Sequence, residues 1–284
     1  MTKLPLNTKA LNKHVKELTK KIEPLPSISK YTIKEILEAS PEKLHEIAKW
    51  FDTLSSTKKE EFNYIKTEYS NFITKDKIEY HGYILAKKLN INVCPYCNRN
   101  YTFTVINDKE ISRPEFDHFY SKEKYPILAL SFYNLIPSCH ICNSTLKGRE
   151  EFSINSHIHP YLESFHQKTK FCFKPLNADF LHNHESIKIR LFTTDKKALN
   201  SKKTFKLDEF YEHHRDMVVE LIQKSAIYNE SYIDELFNRY EGTLFKNKED
   251  LLRLITCGYI TDEDINKRPL SKLIKDISEE LKLI

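Results

Sequence analysis

Two Cys-x-x-Cys pairs, Cys94/Cys97 and Cys139/Cys142, are separated by 41 residues and bracket the dipeptide Asp117-His118. A short turn aims both sulfurs of such a pair at one tetrahedral centre, so two pairs supply the four thiolates of a structural zinc site. Redox pairs of the thioredoxin type come singly, at a strand-to-helix junction. A shared ion would pin the segment before residue 99 to the start of a helix after residue 138, so everything between must fold back on itself. With four protein ligands the ion has no open position, and its expected role is structural.

The rest of the chain narrows the setting. The six cysteines in 284 residues are too few and too clustered for a secreted disulfide scaffold, and a reducing cytosol would keep them as metal ligands. The N-terminus MTKLPLNTKALNKHVKELTKK is polar, and no apolar run of bilayer length follows, so the expectation is a cytoplasmic protein without a membrane partner. Lys and Arg number 45 against 40 Asp and Glu; a net charge of +5 argues only weakly for a polyanionic partner. Only four glycines occur, and neither Gly-x-x-x-x-Gly-Lys nor Gly-x-Gly-x-x-Gly is present, so any nucleotide belongs to another subunit.

Residues 8–90 read as helical, with Ile33, Ile36, Leu37, Leu44, Ile47, Ala48 and Phe51 at three-four spacing. The first helix is expected over 8–22, before the Pro-bearing stretch that begins at Glu23. Ser40-Pro41-Glu42 marks a helix start, and a long helical tract is expected from Lys58 to Leu89, Ile78 included. Residues 99–137 turn aromatic and β-branched, which predicts short antiparallel strands with a turn at Asn107-Asp108. Ser138 is the expected N-cap of a helix that carries the second cysteine pair and stops at Gly148. The segment 150–200 is irregular apart from a strand at Ile187–Phe192, and helices resume from Leu207. The expected fold class is α+β, mostly helical: an N-terminal helical region (1–90), a central domain with the zinc knuckles (91–200) and a C-terminal helical region (201–284).

The chemistry sits in the centre. Asp117 can hold a divalent cation on a scissile phosphate while His118 takes a proton from the attacking water. Asn143, one residue past Cys142, offers a carboxamide oxygen suited to Mg²⁺ or Mn²⁺. Asn134 is placed to hold backbone groups of the loop after His118, and Lys147 either meets the phosphate backbone or solvates the helix end. His157/His159 and His182/His184 form two His-x-His pairs that read as loop residues before metal ligands, and His140 reads as outward-facing. Cys172 and Cys257 have no partner at metal spacing.

The pattern Cys-x-x-Cys, Asp-His, then Asn-Leu-Ile-x-x-Cys-x-x-Cys-Asn-x-x-x-Lys-Gly resembles the HNH nuclease family with its ββα-metal fold. The resemblance implies an HNN variant in which His118 ends the first strand, Asn134 is the middle residue and Asn143 is the metal-binding residue of the helix. The wording CPYCNRNYT with DHFYSKEKYPILALSFYNLIPSCHICN is most similar to the HNH subunit of Septu-type anti-phage defence systems, which acts beside an ABC/SMC-like ATPase. It covers about residues 91–165, with Ser121 where the family often has Pro. It implies a DNA endonuclease with structural zinc and catalytic Mg²⁺ or Mn²⁺, controlled by an ATPase partner. The alternatives are an RNA-cleaving nuclease, such as one acting on tRNA, and a zinc-stabilised nucleic-acid-binding or scaffold protein without catalysis.

Overall fold

The first three helices follow from local signals in the sequence. In the computed structural model, which describes residues 1–22, 24–74, 79–107 and 110–284, Asn7 caps helix α1 (Thr8–Thr19) by accepting from the Ala10 amide. Thr32 and Glu35 form a reciprocal capping box on α2 (Ile33–Glu38), and Ser40 caps α3 (Pro41–Asp52), whose first residue is proline. The expected long helix after Lys58 is instead three elements, α4 (Ser56–Glu60), α5 (Tyr64–Thr74) and α6 (Gly82–Leu89). The start of α6 is tightly packed: a Cβ on Gly82 would lie 3.1 Å from Ile73 Cδ1. Glu23, Ile78 and Asp108 lie outside the described residues.

Strands β1 (Val105–Ile106) and β2 (Glu110–Ser112) make a small antiparallel pair. Strands β3 (Glu115–His118) and β4 (Leu135–Ser138) make a second, and a π-helical segment, Ile141–Lys147, follows at once. Farther along, β5 (Lys170–Pro175) pairs with β6 (Ile187–Phe192), whose alternate residues Ile187, Ile189 and Leu191 are buried. Helix α7 (Lys196–Thr204), capped by Asp195, occupies a stretch whose sequence reads as irregular. Then come α8 (Leu207–Tyr211), α9 (Arg215–Ile227), α10 (Glu230–Tyr240), α11 (Lys248–Thr256) and α12 (Ser271–Glu280). Helices and small antiparallel sheets make this an α+β protein. Among the described residues no helix is long and apolar enough to cross a membrane.

The chain divides into two compact units, each assembled from separate stretches of sequence. One comprises Lys3–Asn92 with Thr102–Glu163; the other comprises Met1–Thr2, Val93–Tyr101 and Ser164–Ile284. In the first, the N-terminal helices share one unit with β3 and β4. They pack on the loop between β3 and β4, and His14 of α1 fastens the two. Its ring meets Phe72, Tyr80 and Phe132 edge-on, Nε2 lies 2.8 Å from the Leu130 carbonyl and Nδ1 lies 3.1 Å from the Tyr80 hydroxyl. A carbonyl only accepts, so Nε2 carries the hydrogen and Nδ1 accepts from Tyr80.

Burial holds His14 down to about 4, against an ordinary value of 6.5. Between those values the unfolded chain binds a proton that the fold refuses, so stability present above 6.5 is lost as pH falls towards 4. The loss from this one residue is expected to be about 3 kcal/mol. Urea unfolding at neutral pH and in mild acid measures it, and His14→Gln should flatten the slope by that share.

Candidate active site and metal centre

The register of β3 and β4 decides which side chains meet. Glu115 pairs with Ser138, Asp117 with Ile136 and His118 with Leu135. Ser138 therefore belongs to the sheet and does not cap the helix, whose first turn has no side-chain cap. Alternation along β3 sends Glu115 and Asp117 to one face. The segment Ile141–Lys147 crosses this face and makes two rungs with it. Asn143 Nδ2 donates to Glu115 Oε2 at 2.8 Å, and Lys147 Nζ donates to Asp117 Oδ1 at 2.7 Å. Lys147 also donates to the His118 carbonyl and is 5% exposed, so it is not a solvated helix end. Gly148 closes the segment at φ 50°, in the left-handed region that favours glycine, with its amide on the Asn143 carbonyl.

Glu115 is the site residue that sequence reasoning missed. It accepts from His140 Nδ1 (2.7 Å), Asn143 Nδ2 and Ser144 Oγ (2.9 Å), and these bonds hold its carboxyl below the usual range against the opposing effect of partial burial. The available signal was its place two residues before Asp117, which in a strand means the same face. With the Asn143 nitrogen committed to Glu115, the carboxamide oxygen is the atom left for a cation.

His118 is buried, with Nε2 2.9 Å from the Ala129 carbonyl and its ring 4.4 Å from that of Tyr69, edge-on. The carbonyl fixes the tautomer: Nε2 is N–H and Nδ1 keeps its lone pair. Burial above all, with the charges of Lys122 and Lys147, lowers the imidazole to about 3, so it is neutral at neutral pH. Asn134, fully buried, accepts from the Tyr120 amide at 2.7 Å and donates to the Tyr120 and Leu128 carbonyls, each at 3.0 Å. Both ends of its carboxamide are spent on the backbone of the loop that follows His118. Asn134→Ala takes their partner from the Tyr120 amide and carbonyl, while the Leu128 carbonyl keeps the Ser131 amide, and should cost about 3 kcal/mol in denaturant unfolding.

Asp117, His118, Asn143 and Lys147 line one cleft of about 680 Å³, together with the cations Lys122, Lys124 and Arg149 and the acids Glu123, Glu150 and Glu151. The histidine pairs 157/159 and 182/184 lie outside it. His157 stacks on Phe152, with ring centroids 3.7 Å apart, and His159 is buried against Phe119. His182 and His184 are exposed.

The four cysteines form a group that could hold a metal ion. Their sulfurs all lie within 4.8 Å of one another, and among the described residues they are the one group of metal-capable side chains found together. Cys94, Cys97 and Cys142 are buried and Cys139 is half-buried. Zn–S bonds of about 2.3 Å in a tetrahedron place sulfurs roughly 3.8 Å apart, so the cluster is of the right size for an ion such as Zn²⁺. The first knuckle is shaped by Asn98, left-handed at φ 52°, whose amide returns to the Cys94 carbonyl at 2.9 Å. Asn98 Nδ2 donates to the Ile265 carbonyl and its Oδ1 accepts from the Lys272 amide, fastening the knuckle to the start of α12. The Arg99 amide lies 3.4 Å from Cys97 Sγ, and the Tyr211 hydroxyl donates to the Cys97 carbonyl at 2.7 Å. In the second knuckle the Asn143 amide bonds the Cys139 carbonyl at 3.1 Å. His140, between Cys139 and Cys142, points to Glu115.

No protein-family model matches the sequence, and neither a curated protein nor a solved structure matches it.

Proposed function

We propose that the chain is a metal-dependent endonuclease of the HNH type, with β3, β4 and Ile141–Lys147 as its ββα element. The observation that carries the reading is geometric: Asp117, His118 and Asn143 line one cleft, and the Ala129 carbonyl fixes His118 Nε2 as the N–H so that Nδ1 keeps its lone pair. His118 Nδ1 takes the proton of the attacking water. Asp117 and the Asn143 oxygen would hold Mg²⁺ or Mn²⁺, a hard ion that suits such donors. When bound, that ion polarises the phosphate and stabilises the leaving oxygen. Asn134 keeps the loop after His118 in place, Glu115 orients the Asn143 carboxamide, and Lys122 and Arg149 offer cations to a phosphate backbone.

DNA as substrate, an ABC/SMC-like ATPase as partner and a role in anti-phage defence are proposed from the motif resemblance. The test is cleavage of supercoiled plasmid, single-stranded DNA, tRNA and double-stranded RNA by the purified chain in Mg²⁺ or Mn²⁺. Plasmid cleavage that EDTA stops is the expected result. Cleavage of RNA alone overturns the choice of DNA, and wild type and His118→Ala that behave alike on every substrate overturn the nuclease.

A further inference from the structure

The bonding of Lys147 is unlike that of a phosphate-binding lysine. Its Nζ is buried, bonded to Asp117 Oδ1 and to the His118 carbonyl, and 4.8 Å from the centre of the Phe152 ring. Asp117 itself is 3% exposed, so its charge needs a compensating partner inside the fold. We propose that Lys147 is a positioning residue that serves as the internal cation of this site. It holds the Asp117 carboxylate and the His118 backbone in place, and it competes with a divalent ion for Asp117.

The inference deepens the nuclease reading, since it takes Asp117 as an ion ligand. A divalent ion on Asp117 sits within a few ångströms of the ammonium, and the two cations repel across a poorly solvated site. An ammonium on a flexible stem with three donors can yield: it keeps the His118 carbonyl while sharing or releasing the carboxylate. The two roles of Lys147 therefore have opposite signs. Removing the charge strengthens divalent-ion binding while it loosens the Asp117 and His118 geometry. A phosphate-contacting lysine would leave ion affinity unchanged and weaken nucleic-acid binding. A lysine with only a packing role would not tighten the binding of any ion.

Mn²⁺ titration of the full chain, read by the electron paramagnetic resonance of free Mn²⁺, separates these cases without any cleavage assay. Lys147→Met should bind Mn²⁺ roughly tenfold tighter or more than wild type. The gain should vanish when Asp117→Asn is added, and Lys147→Arg should retain wild-type affinity. Unchanged or weaker binding by a folded Lys147→Met chain overturns the proposal. If Lys147→Met does not fold, the wild-type chain decides. The side-chain ammonium ¹⁵N resonance of Lys147, assigned by its loss in Lys147→Arg, should move on Mg²⁺ addition and stay still in Asp117→Asn; an unmoved resonance in wild type is the overturning result. Plasmid cleavage by wild type and His118→Ala is scored separately. Its absence sinks the nuclease reading, while the Mn²⁺ titration still decides the competition at Asp117.

Discussion

Replacing His118 by alanine is expected to lower the cleavage rate by roughly a hundredfold to ten-thousandfold, the usual contribution of a placed general base. The loss should fall on the rate at saturating DNA, with little change in the DNA dissociation constant. Those two quantities separate because Lys122 and Arg149, cations lining the same cleft, are untouched by the substitution. Stability should change less than activity, since the ring makes one hydrogen bond, to the Ala129 carbonyl, and one edge-on contact, with Tyr69. His118→Gln discriminates further. It keeps a side-chain N–H donor for that carbonyl but has no imidazole nitrogen to accept a proton, so it should be nearly as inactive as alanine. Anisotropy of labelled DNA and a quenched-flow time course supply both readouts. A rate for His118→Ala within threefold or so of wild type would remove the base from the mechanism.

The parts of this site legible in the sequence are those whose geometry is local. Cys-x-x-Cys is a turn, Asp117-His118 is a dipeptide, and Asn143 follows Cys142 directly, so spacing alone carries a chemical reading. Helix starts with a cap and a proline, as at Ser40-Pro41, are local in the same sense. What escaped depends on pairing between distant segments. Ser138 looks like an N-cap until the register places it opposite Glu115. Lys147 looks like a surface lysine until β3 supplies a carboxylate and a carbonyl within reach of its Nζ. Glu115 gains its place only when Asn143 crosses the same strand face. The tract after Lys58 also escaped: apolar spacing is continuous there, yet one helix ends at Glu60 and the next begins at Tyr64. The two-unit division was hidden for another reason. Residues 93–101 leave the chain order to join the C-terminal helices, through the Asn98 side chain, the Leu270 amide and the Tyr211 hydroxyl.

Zinc is expected at one equivalent per chain, and removing it should be costlier for the fold than any single substitution in the cleft that Asp117 and His118 line. The four sulfurs already lie within 4.8 Å, three of their residues buried. Without an ion, four polarisable thiols face one another where a tetrahedral ion would satisfy all of them. Structural zinc contributes on the order of 10 kcal/mol to small zinc-dependent folds. A chain with larger cores beside the site, such as Phe171, Phe205 and Tyr211 in the unit that holds Cys94, should keep part of its structure when the ion leaves. Cys94→Ser or Cys142→Ser should therefore abolish stoichiometric zinc and lower the melting temperature by about 10 °C, without unfolding every helix. Cys257→Ser, an exposed thiol outside the cluster, is the control and should leave zinc content intact. Because Asn143 follows Cys142 and its amide bonds the Cys139 carbonyl, loss of the ion should also disturb the Asn143–Glu115 rung. Metal analysis and calorimetry of chelator-treated protein check the first claim. Binding of Mn²⁺ after chelation and zinc-free refolding checks the second, with weaker binding than in the zinc-loaded chain as the expected result. Zinc content that survives Cys94→Ser would show that the ion lies elsewhere.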